Sequence, residues 1–188
     1  MIQYKEKKEV CNMKILVLAG SPHKNGTLNT LVKEFVRGAQ EAGHAVTVYD
    51  AAKGNIHPCL GCDHCGMSGD CIQKDDGNAV LAELLAADAV VFATPVYYFG
   101  MSAQLKTVID RFYARNGAIT RKNMKAALIA TAWNDDEIVM KGIQTHFEII
   151  FDYLHFRNAG MLLAKGSGTV SMMPSRYYTE AYELGKNL

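Results

Sequence analysis

Short apolar runs alternate with amphipathic segments along most of the chain, and this alternation limits its fold more than any other feature of the sequence. The runs are too short for helices and predict strands at residues 15–19, 44–49, 89–93, 126–131 and 159–164. In the other segments apolar residues recur every three or four positions, which predicts helices over residues 27–42, 78–87, 103–113, 136–154 and 175–188. Strict alternation predicts a doubly wound α/β fold, with a five-stranded parallel sheet and helices on both faces.

Length and composition narrow the class of protein. The chain has 188 residues, of which 49% are hydrophobic and 21% charged, as in an ordinary globular domain. We expect residues 13–188 to form one domain and residues 1–12 to be an N-terminal extension outside the chemistry. The formal net charge of +1, without a basic stripe, predicts no nucleic-acid partner. Charged residues interrupt the most apolar stretch, 80–96, and no secretory leader is visible, so we expect a cytoplasmic protein without a membrane span.

The first strand is followed by a polar loop and then at once by a helix. Residues 15–19 end at Gly20, and the loop Ser21-Pro22-His23-Lys24-Asn25-Gly26-Thr27 leads into the helix. Free backbone N–H groups and the helix dipole make such an N-terminus a site for phosphate, to which side-chain hydroxyls and amides can add hydrogen bonds. The alternative is an ordinary strand–helix connection closed by a Thr or Asn cap.

Two further loops follow strands three and four and should lie at the same edge of the sheet. They span residues 94–100, which are rich in aromatics, and residues 132–134. Ligands of doubly wound sheets bind beyond the carboxyl ends of the strands, so the three loops together predict a binding site. The aromatic loop could form an apolar slot for a planar isoalloxazine ring, or its side chains could pack locally against the third helix.

The segment 51–76 has no helical or strand periodicity and contains four of the five cysteines. Its spacing, C-x2-C-x2-C-x5-C, is compatible with one [4Fe–4S] cluster bound by Cys59, Cys62, Cys65 and Cys71. A zinc site, a disulfide and free thiols are the alternatives, although zinc sites usually separate two CxxC pairs by many residues. The segment has few apolar residues, so we expect a cluster, a disulfide or a second subunit to order it.

Three segments resemble the flavodoxin-like NAD(P)H-dependent FMN reductases: GSPHKNGTLNTL, TPVYYFGMSAQLKTVIDR and AYELGKNL. The cysteine spacing resembles that of the iron–sulfur flavoprotein branch. The resemblance implies a strand order of 2-1-3-4-5, FMN as cofactor, NAD(P)H as reductant and a homodimer or a dimer of dimers. It also implies FMN contacts from the phosphate loop, the aromatic loop and the loop after strand four, namely Ser21, His23, Asn25, Gly26, Thr27, Leu28, Asn29, Pro95, Val96, Tyr97, Tyr98, Phe99, Gly100, Ala132, Trp133 and Asn134.

The sequence departs from the family pattern at two positions of the phosphate loop. The family usually has Arg where this chain has His23, and an imidazole lacks the two-pronged geometry with which arginine binds phosphate. Leu28 stands where the family often has Thr, and Thr27 could supply the hydroxyl instead.

The sequence therefore predicts an FMN-dependent oxidoreductase. Hydride from NAD(P)H would reduce FMN, and the electrons would pass to a small acceptor such as a quinone or flavin, or through the cluster to a protein acceptor. No catalytic side chain is predicted, because the flavin carries the chemistry. The alternatives are a non-enzymatic electron carrier that docks on protein partners and a redox or metal sensor built on the cysteines.

Overall fold

The computed structural model describes residues 12–188, and its centre is a five-stranded parallel sheet. The strands lie in the order β2-β1-β3-β4-β5. Their bounds are β1 Lys14–Ala19, β2 Ala45–Asp50, β3 Ala89–Pro95, β4 Lys125–Thr131 and β5 Arg157–Ala164. Both the predicted fold class and the implied strand order are confirmed. The predicted N-terminal extension lies outside the described residues except for Asn12.

In the described part of the chain, six α-helices connect and flank the strands: α1 Thr27–Glu41, α2 Gly77–Ala86, α3 Ala103–Asp110, α4 Asn116–Lys122, α5 Glu137–Tyr153 and α6 Arg176–Lys186. The predicted third helix ends earlier than expected, because the chain tightens into a 3₁₀ helix over Arg111–Arg115. The short helix α4 was not predicted, since NGAITRK has too few apolar residues to show a helical period.

Alternate residues of the strands supply two separate hydrophobic layers. In β1, Leu16 and Leu18 pack with α2, α3 and α5 on one face of the sheet. Ile15 and Val17 pack with α1 and α6 on the other face. Alternate side chains of the strand thus pack against the apolar faces of helices on both sides of the sheet, as a doubly wound fold requires.

Helices α1 and α6 approach each other closely because glycine lies at the contact on both sides. A Cβ atom on Gly38 would come within 2.0 Å of the carbonyl oxygen of Tyr182, and one on Gly185 within 2.0 Å of that of Phe35. Any side chain at either position would therefore force the helices apart.

No helix within residues 12–188 is long and apolar enough to cross a membrane.

Candidate functional site

The three predicted loops meet beyond the carboxyl ends of β1, β3 and β4 and enclose a cavity of about 780 Å³, here called the edge cleft. The loop after β5 forms part of the wall. The cleft is lined by Ser21, His23, Lys24, Asn25, Gly26, Thr27, Leu28, Pro95, Val96, Tyr97, Thr131, Ala132, Trp133, Ser167, Gly168, Thr169 and Val170. Eleven of the sixteen predicted cofactor-binding residues are in this set.

At one end of the cleft the N-terminus of α1 is left without a side-chain cap. Gly26 is the N-cap residue, and no side chain of residues 12–188 accepts a hydrogen bond from the first turn. The Gly26 N–H donates to the carbonyl oxygen of His23 at 3.0 Å, and a Cβ atom on Gly26 would lie 3.0 Å from the Cβ of His23. Glycine therefore allows the tight turn, and the free N–H groups of the first turn remain available to an anion.

A buried polar network links the phosphate loop to the aromatic loop. The Ser102 hydroxyl donates to the carbonyl oxygen of Gly20 at 2.8 Å, and the Ser102 N–H donates to the Thr94 hydroxyl at 2.9 Å. Ser102 also caps α3 by accepting from the Leu105 N–H. Because Ser102 and Thr94 are fully buried, this network fixes the relative position of the two loops. Sequence analysis did not single out Ser102.

The aromatic loop forms a tight antiparallel turn. Tyr97 and Gly100 exchange two backbone hydrogen bonds of 3.0 Å, and Tyr98 and Phe99 between them have positive φ angles of 46° and 64°. Left-handed backbone is costly for such residues, which are held here by the surrounding hydrogen bonds. The side chains of Tyr98 and Phe99 point into solvent outside the cleft, whereas Tyr97 lines it.

Trp133 forms the opposite wall of the cleft with a loop that sequence analysis missed. A Cβ atom on Gly168 would lie 2.3 Å from the indole ring, so the backbone of Gly168 packs directly against it. The indole is nevertheless 68% exposed, which leaves it accessible from the cleft. The small polar residues GSGT after β5 were the available signal, since this loop leaves the same edge of the sheet.

Five predicted contact residues do not line the edge cleft of a single chain: Asn29, Tyr98, Phe99, Gly100 and Asn134. The Asn29 amide donates to the carbonyl oxygen of His23 at 2.9 Å and so holds the phosphate loop from outside. The Asn134 side chain bonds to Asp136 at the start of α5.

The four cysteines of the cysteine-rich loop, residues 51–76, line a second and much smaller cavity of about 20 Å³. Among residues 12–188 these four cysteines form no disulfide; Cys59 and Cys62 are exposed, and Cys65 and Cys71 are half-buried. Within residues 12–188, no three His, Cys, Asp or Glu side chains are grouped closely enough to hold one metal ion. A cubane cluster does not require its four thiolates to converge on one point, because each thiolate binds a different iron.

A buried ion pair fixes the two ends of the cysteine-rich loop. Arg111 donates to both carboxylate oxygens of Asp75, at 2.7 and 3.0 Å, and to the carbonyl oxygen of His57 at 3.0 Å. Asp75 also accepts from the backbone N–H groups of His57 and Gly77, each at 2.9 Å. Both charged side chains are 1% exposed. Burial favours a raised pKa for Asp75, but Arg111 and these N–H groups lower it well below its usual range.

The same 3₁₀ helix holds the middle of the loop through two more side chains. The Tyr113 hydroxyl donates to Asp63 at 2.9 Å. Arg115 donates to the carbonyl oxygen of Ser68 at 2.9 Å and pairs with Asp70. Sequence analysis did not foresee these side-chain contacts, and ordering by a cluster, a disulfide or a second subunit stays a prediction.

Comparison with known proteins establishes the family of the chain. The model for the NADPH-dependent FMN reductase family matches residues 13–166. The chain belongs to this family. Its structure is similar to that of an NAD(P)H:quinone oxidoreductase from Methanothermobacter marburgensis, with a TM-score of 0.75 and 20% identity over 94% of this chain and 96% of the other. At that identity the likeness shows the fold.

Sequence relatives carry iron–sulfur flavoprotein names. One from Methanocaldococcus jannaschii is 35% identical over 99 residues, which are 53% of this chain and 51% of the relative. One from Archaeoglobus fulgidus is 36% identical over 121 residues, 64% of this chain and 59% of the relative. These two matches span only about half of the relatives' length. A second Methanocaldococcus jannaschii protein of this name is 32% identical over 73% of this chain and 72% of its own length.

Proposed function

We propose that this protein is an FMN-dependent oxidoreductase that takes hydride from NAD(P)H and passes electrons to a small acceptor, such as a quinone or a flavin. The observation that carries the proposal is the edge cleft of about 780 Å³, with an uncapped helix N-terminus at one end and an aromatic wall at the other. A ligand with a phosphate joined by a short chain to a planar ring fits such a cleft, because the phosphate suits the helix N-terminus and the ring suits the aromatic wall. Family membership is in keeping with it.

The phosphate end of the cleft would hold the FMN phosphate. The backbone N–H groups at the start of α1 face it, and the hydroxyls of Ser21 and Thr27 stand at the same end. Ser21 and Thr27 are buried, 5% and 8% exposed, so their positions are well defined. Within residues 12–188, no arginine lines the cleft, and Lys24 is the only lysine in its wall. Binding of the phosphate thus depends mainly on backbone donors.

The aromatic end of the cleft would hold the isoalloxazine ring, which when bound accepts hydride from NAD(P)H and gives up electrons to an acceptor. The backbone of Pro95, Val96 and Tyr97 borders one side, and Trp133 with the loop after β5 borders the other. These groups orient the ring and shield it from water. Among residues 12–188, no carboxylate side chain lines the cleft, in keeping with chemistry carried by the cofactor.

We further propose that the cysteine-rich loop binds a [4Fe–4S] cluster through Cys59, Cys62, Cys65 and Cys71, and that electrons can leave through it. The four thiols line one cavity, and the Gly61 N–H donates to the Cys59 sulfur at 3.5 Å. Backbone N–H groups directed at sulfur are common around such clusters and adjust their potentials. Because free thiols persist in reducing compartments, the proposal includes a cytoplasmic location.

A homodimer completes the proposal. Large apolar side chains of the aromatic loop, of the loop after β4 and of the first turn of α5 are strongly exposed in the single chain: Tyr98 by 102%, Phe99 by 60%, Trp133 by 68% and Ile138 by 63%. Exposed apolar side chains of this kind are typical of a subunit interface. A second copy of the chain would cover the open side of the cleft.

Reduction of the bound flavin by a nicotinamide nucleotide tests the function. Anaerobic mixing of the FMN-loaded protein with NADH or NADPH should abolish the oxidised-flavin absorbance within turnover times. A protein that keeps FMN but is reduced by neither nucleotide would be an electron carrier instead.

The phosphate position is tested by Asn25→Glu, which places a negative charge on an exposed residue of the cleft. FMN affinity should fall tenfold or more, since like charges about 4 Å apart near a protein surface repel by roughly 1–4 kcal/mol. Gln40→Glu, the same charge change at the far end of α1, is the matched control. Equal FMN affinity in both variants would place the phosphate elsewhere.

A further inference from the structure

One buried serine is bonded both to the start of the phosphate loop and to the base of the aromatic loop. The Ser102 hydroxyl donates to the carbonyl oxygen of Gly20, 82 positions away in sequence, at 2.8 Å. The Ser102 N–H donates to the Thr94 hydroxyl at 2.9 Å, and that hydroxyl donates in turn to the carbonyl oxygen of Pro95 at 2.8 Å. Gly20 directly precedes the phosphate loop, and Pro95 lies in the wall of the edge cleft. Each end of the cleft is therefore bonded to the same residue.

The packing around Gly20 leaves the start of the phosphate loop no room to move. A Cβ atom on Gly20 would lie 2.6 Å from the Ser102 hydroxyl oxygen and 2.7 Å from the Cβ of Leu105, so the first turn of α3 packs directly on the glycine backbone. The Gly20 N–H also donates to the carbonyl oxygen of Ala93 at 2.8 Å. Any displacement of this residue would break hydrogen bonds in a buried place, which is costly.

A role limited to capping α3 does not account for these contacts. Ser102 is the N-cap residue of α3, and its hydroxyl oxygen accepts from the Leu105 N–H at 3.3 Å. Capping requires only an acceptor, and Asp or Asn would serve equally well. The hydroxyl proton is instead directed at Gly20, outside the helix. Ser102 is fully buried and does not line the cleft, so it acts on a ligand only through the two loops.

We propose that Ser102 is a positioning residue that sets the spacing between the phosphate end and the ring end of the edge cleft, and thereby makes the cleft selective for FMN over riboflavin. The inference rests on the FMN site of the proposed function. Riboflavin has the same ring and side chain as FMN but no phosphate. Where both ends of the cleft are held in place beforehand, a flavin bound by its ring meets phosphate donors that are already aligned. Where the loops shift apart, the ring still binds and the phosphate contributes less.

The ratio of the dissociation constants for riboflavin and FMN measures this selectivity, and flavin fluorescence gives both constants. Ser102→Ala should lower the ratio roughly 3- to 10-fold, the effect of about one lost hydrogen bond, while riboflavin affinity stays near that of the wild type. Wild-type affinity for riboflavin also shows that the variant is folded. A residue that only caps α3 would lower the melting temperature and leave the ratio unchanged, and that result would overturn the proposal.

Thr107→Val is the matched control, because it removes a hydroxyl from the same helix. The Thr107 hydroxyl donates to the carbonyl oxygen of Ala103 at 2.9 Å, within α3. This variant should keep the wild-type ratio. A drop as large as that in Ser102→Ala would mean that any loosening of α3 changes the ratio, and would contradict a specific role for Ser102.

Two variants of Thr94 decide the matter if Ser102→Ala does not fold. Thr94→Val removes the hydroxyl that joins Ser102 to Pro95 and leaves the cap of α3 in place, so the ratio should fall here too. Thr94→Ser keeps the hydroxyl and should restore the ratio. A wild-type ratio in Thr94→Val would refute the coupling of the two loops. Equal affinity of the wild-type chain for riboflavin and FMN would instead refute the phosphate site of the proposed function.

Discussion

Trp133 is the chain's single tryptophan, and its exposed indole lies on the wall of the edge cleft. An isoalloxazine ring in the cleft would lie near the indole and quench its fluorescence. Titration with FMN should therefore reduce tryptophan emission and reach a plateau at one FMN per chain. Trp133→Phe should keep the binding, measured by flavin fluorescence, and lose the tryptophan signal. Stoichiometric FMN binding with unchanged tryptophan emission would contradict the proposed ring position.

Asp75 makes the stability of the protein depend on pH in a defined direction. Its pKa in the folded state is below the unfolded value of about 4, so its contribution is complete above that pH and is lost as the pH falls through the folded value. We expect Asp75→Asn to cost roughly 3–5 kcal/mol at pH 7, because it leaves the charge of Arg111 buried and unpaired. The variant should also lose less stability than the wild type on acidification below about pH 4.

Urea unfolding at a series of pH values measures both effects. Asp70→Asn is the control, because Asp70 pairs with Arg115 but is 72% exposed, and such surface pairs contribute only about 0–1 kcal/mol. If Asp75→Asn and Asp70→Asn destabilise the protein equally, the buried pair does not anchor the loop.

At the scale of elements, the close contact between α1 and α6 depends on Gly38 and Gly185, which have no side chains that would separate the helices. Gly38→Ala should destabilise the protein by roughly 1–3 kcal/mol, because its Cβ would collide with the backbone of α6. Gly117→Ala, in α4, should be neutral or stabilising by up to about 1 kcal/mol, since its Cβ would meet only the flexible end of Arg121. Thermal unfolding of both variants makes the comparison. Equal melting temperatures would show that the helices can move apart without cost.

The strands and long helices could be predicted because burial imposes a period on their sequences. All five predicted strands are present, and the main differences are at the ends, such as β5, which begins at Arg157 instead of Ala159. At the start of β5 the pairing register with β4 shifts, and Gly160 has a φ angle of +136°. The hydrophobic pattern of the sequence does not reveal such a local irregularity. The 3₁₀ helix and α4 were missed for the same reason.

The site could be predicted only where it follows from topology. Three loops that end neighbouring strands must meet at one edge, and they do so in the edge cleft. The contacts that order the cysteine-rich loop could not be foreseen, because Arg111 and Asp75 are 36 residues apart in sequence. Nothing local in a helical pattern distinguishes an arginine that is buried from one that faces water.

At the scale of the whole molecule, the exposed turn at Tyr98 and Phe99 should lie in the proposed dimer interface. Replacing the pair with Asn-Gly suits the left-handed backbone better, so the turn should be preserved. The loss of two aromatic side chains should nevertheless weaken the dimer at least about tenfold, or ~1.4 kcal/mol.

Sedimentation at a series of concentrations measures this change in dimer dissociation. Ile149→Asn is the control, because Ile149 is 63% exposed but lies near the C-terminal end of α5, whereas Ile138 lies in its first turn. A wild-type chain that sediments as a monomer at all concentrations would contradict the dimer itself.

Because His57 and Asp75 are both bonded to Arg111, the segment between them can change in sequence or length while its two ends stay in place. The two ends of this segment meet at the guanidinium of Arg111, which lies outside the segment, in the 3₁₀ helix after α3. Residues 58–74 could therefore be shortened, lengthened or stripped of cysteines during evolution while the cleft at the sheet edge keeps its shape. A scaffold organised in this way can acquire or lose the proposed second redox centre through changes to one surface insert. Chains with and without the four cysteines could then share one ancestral flavin-binding frame.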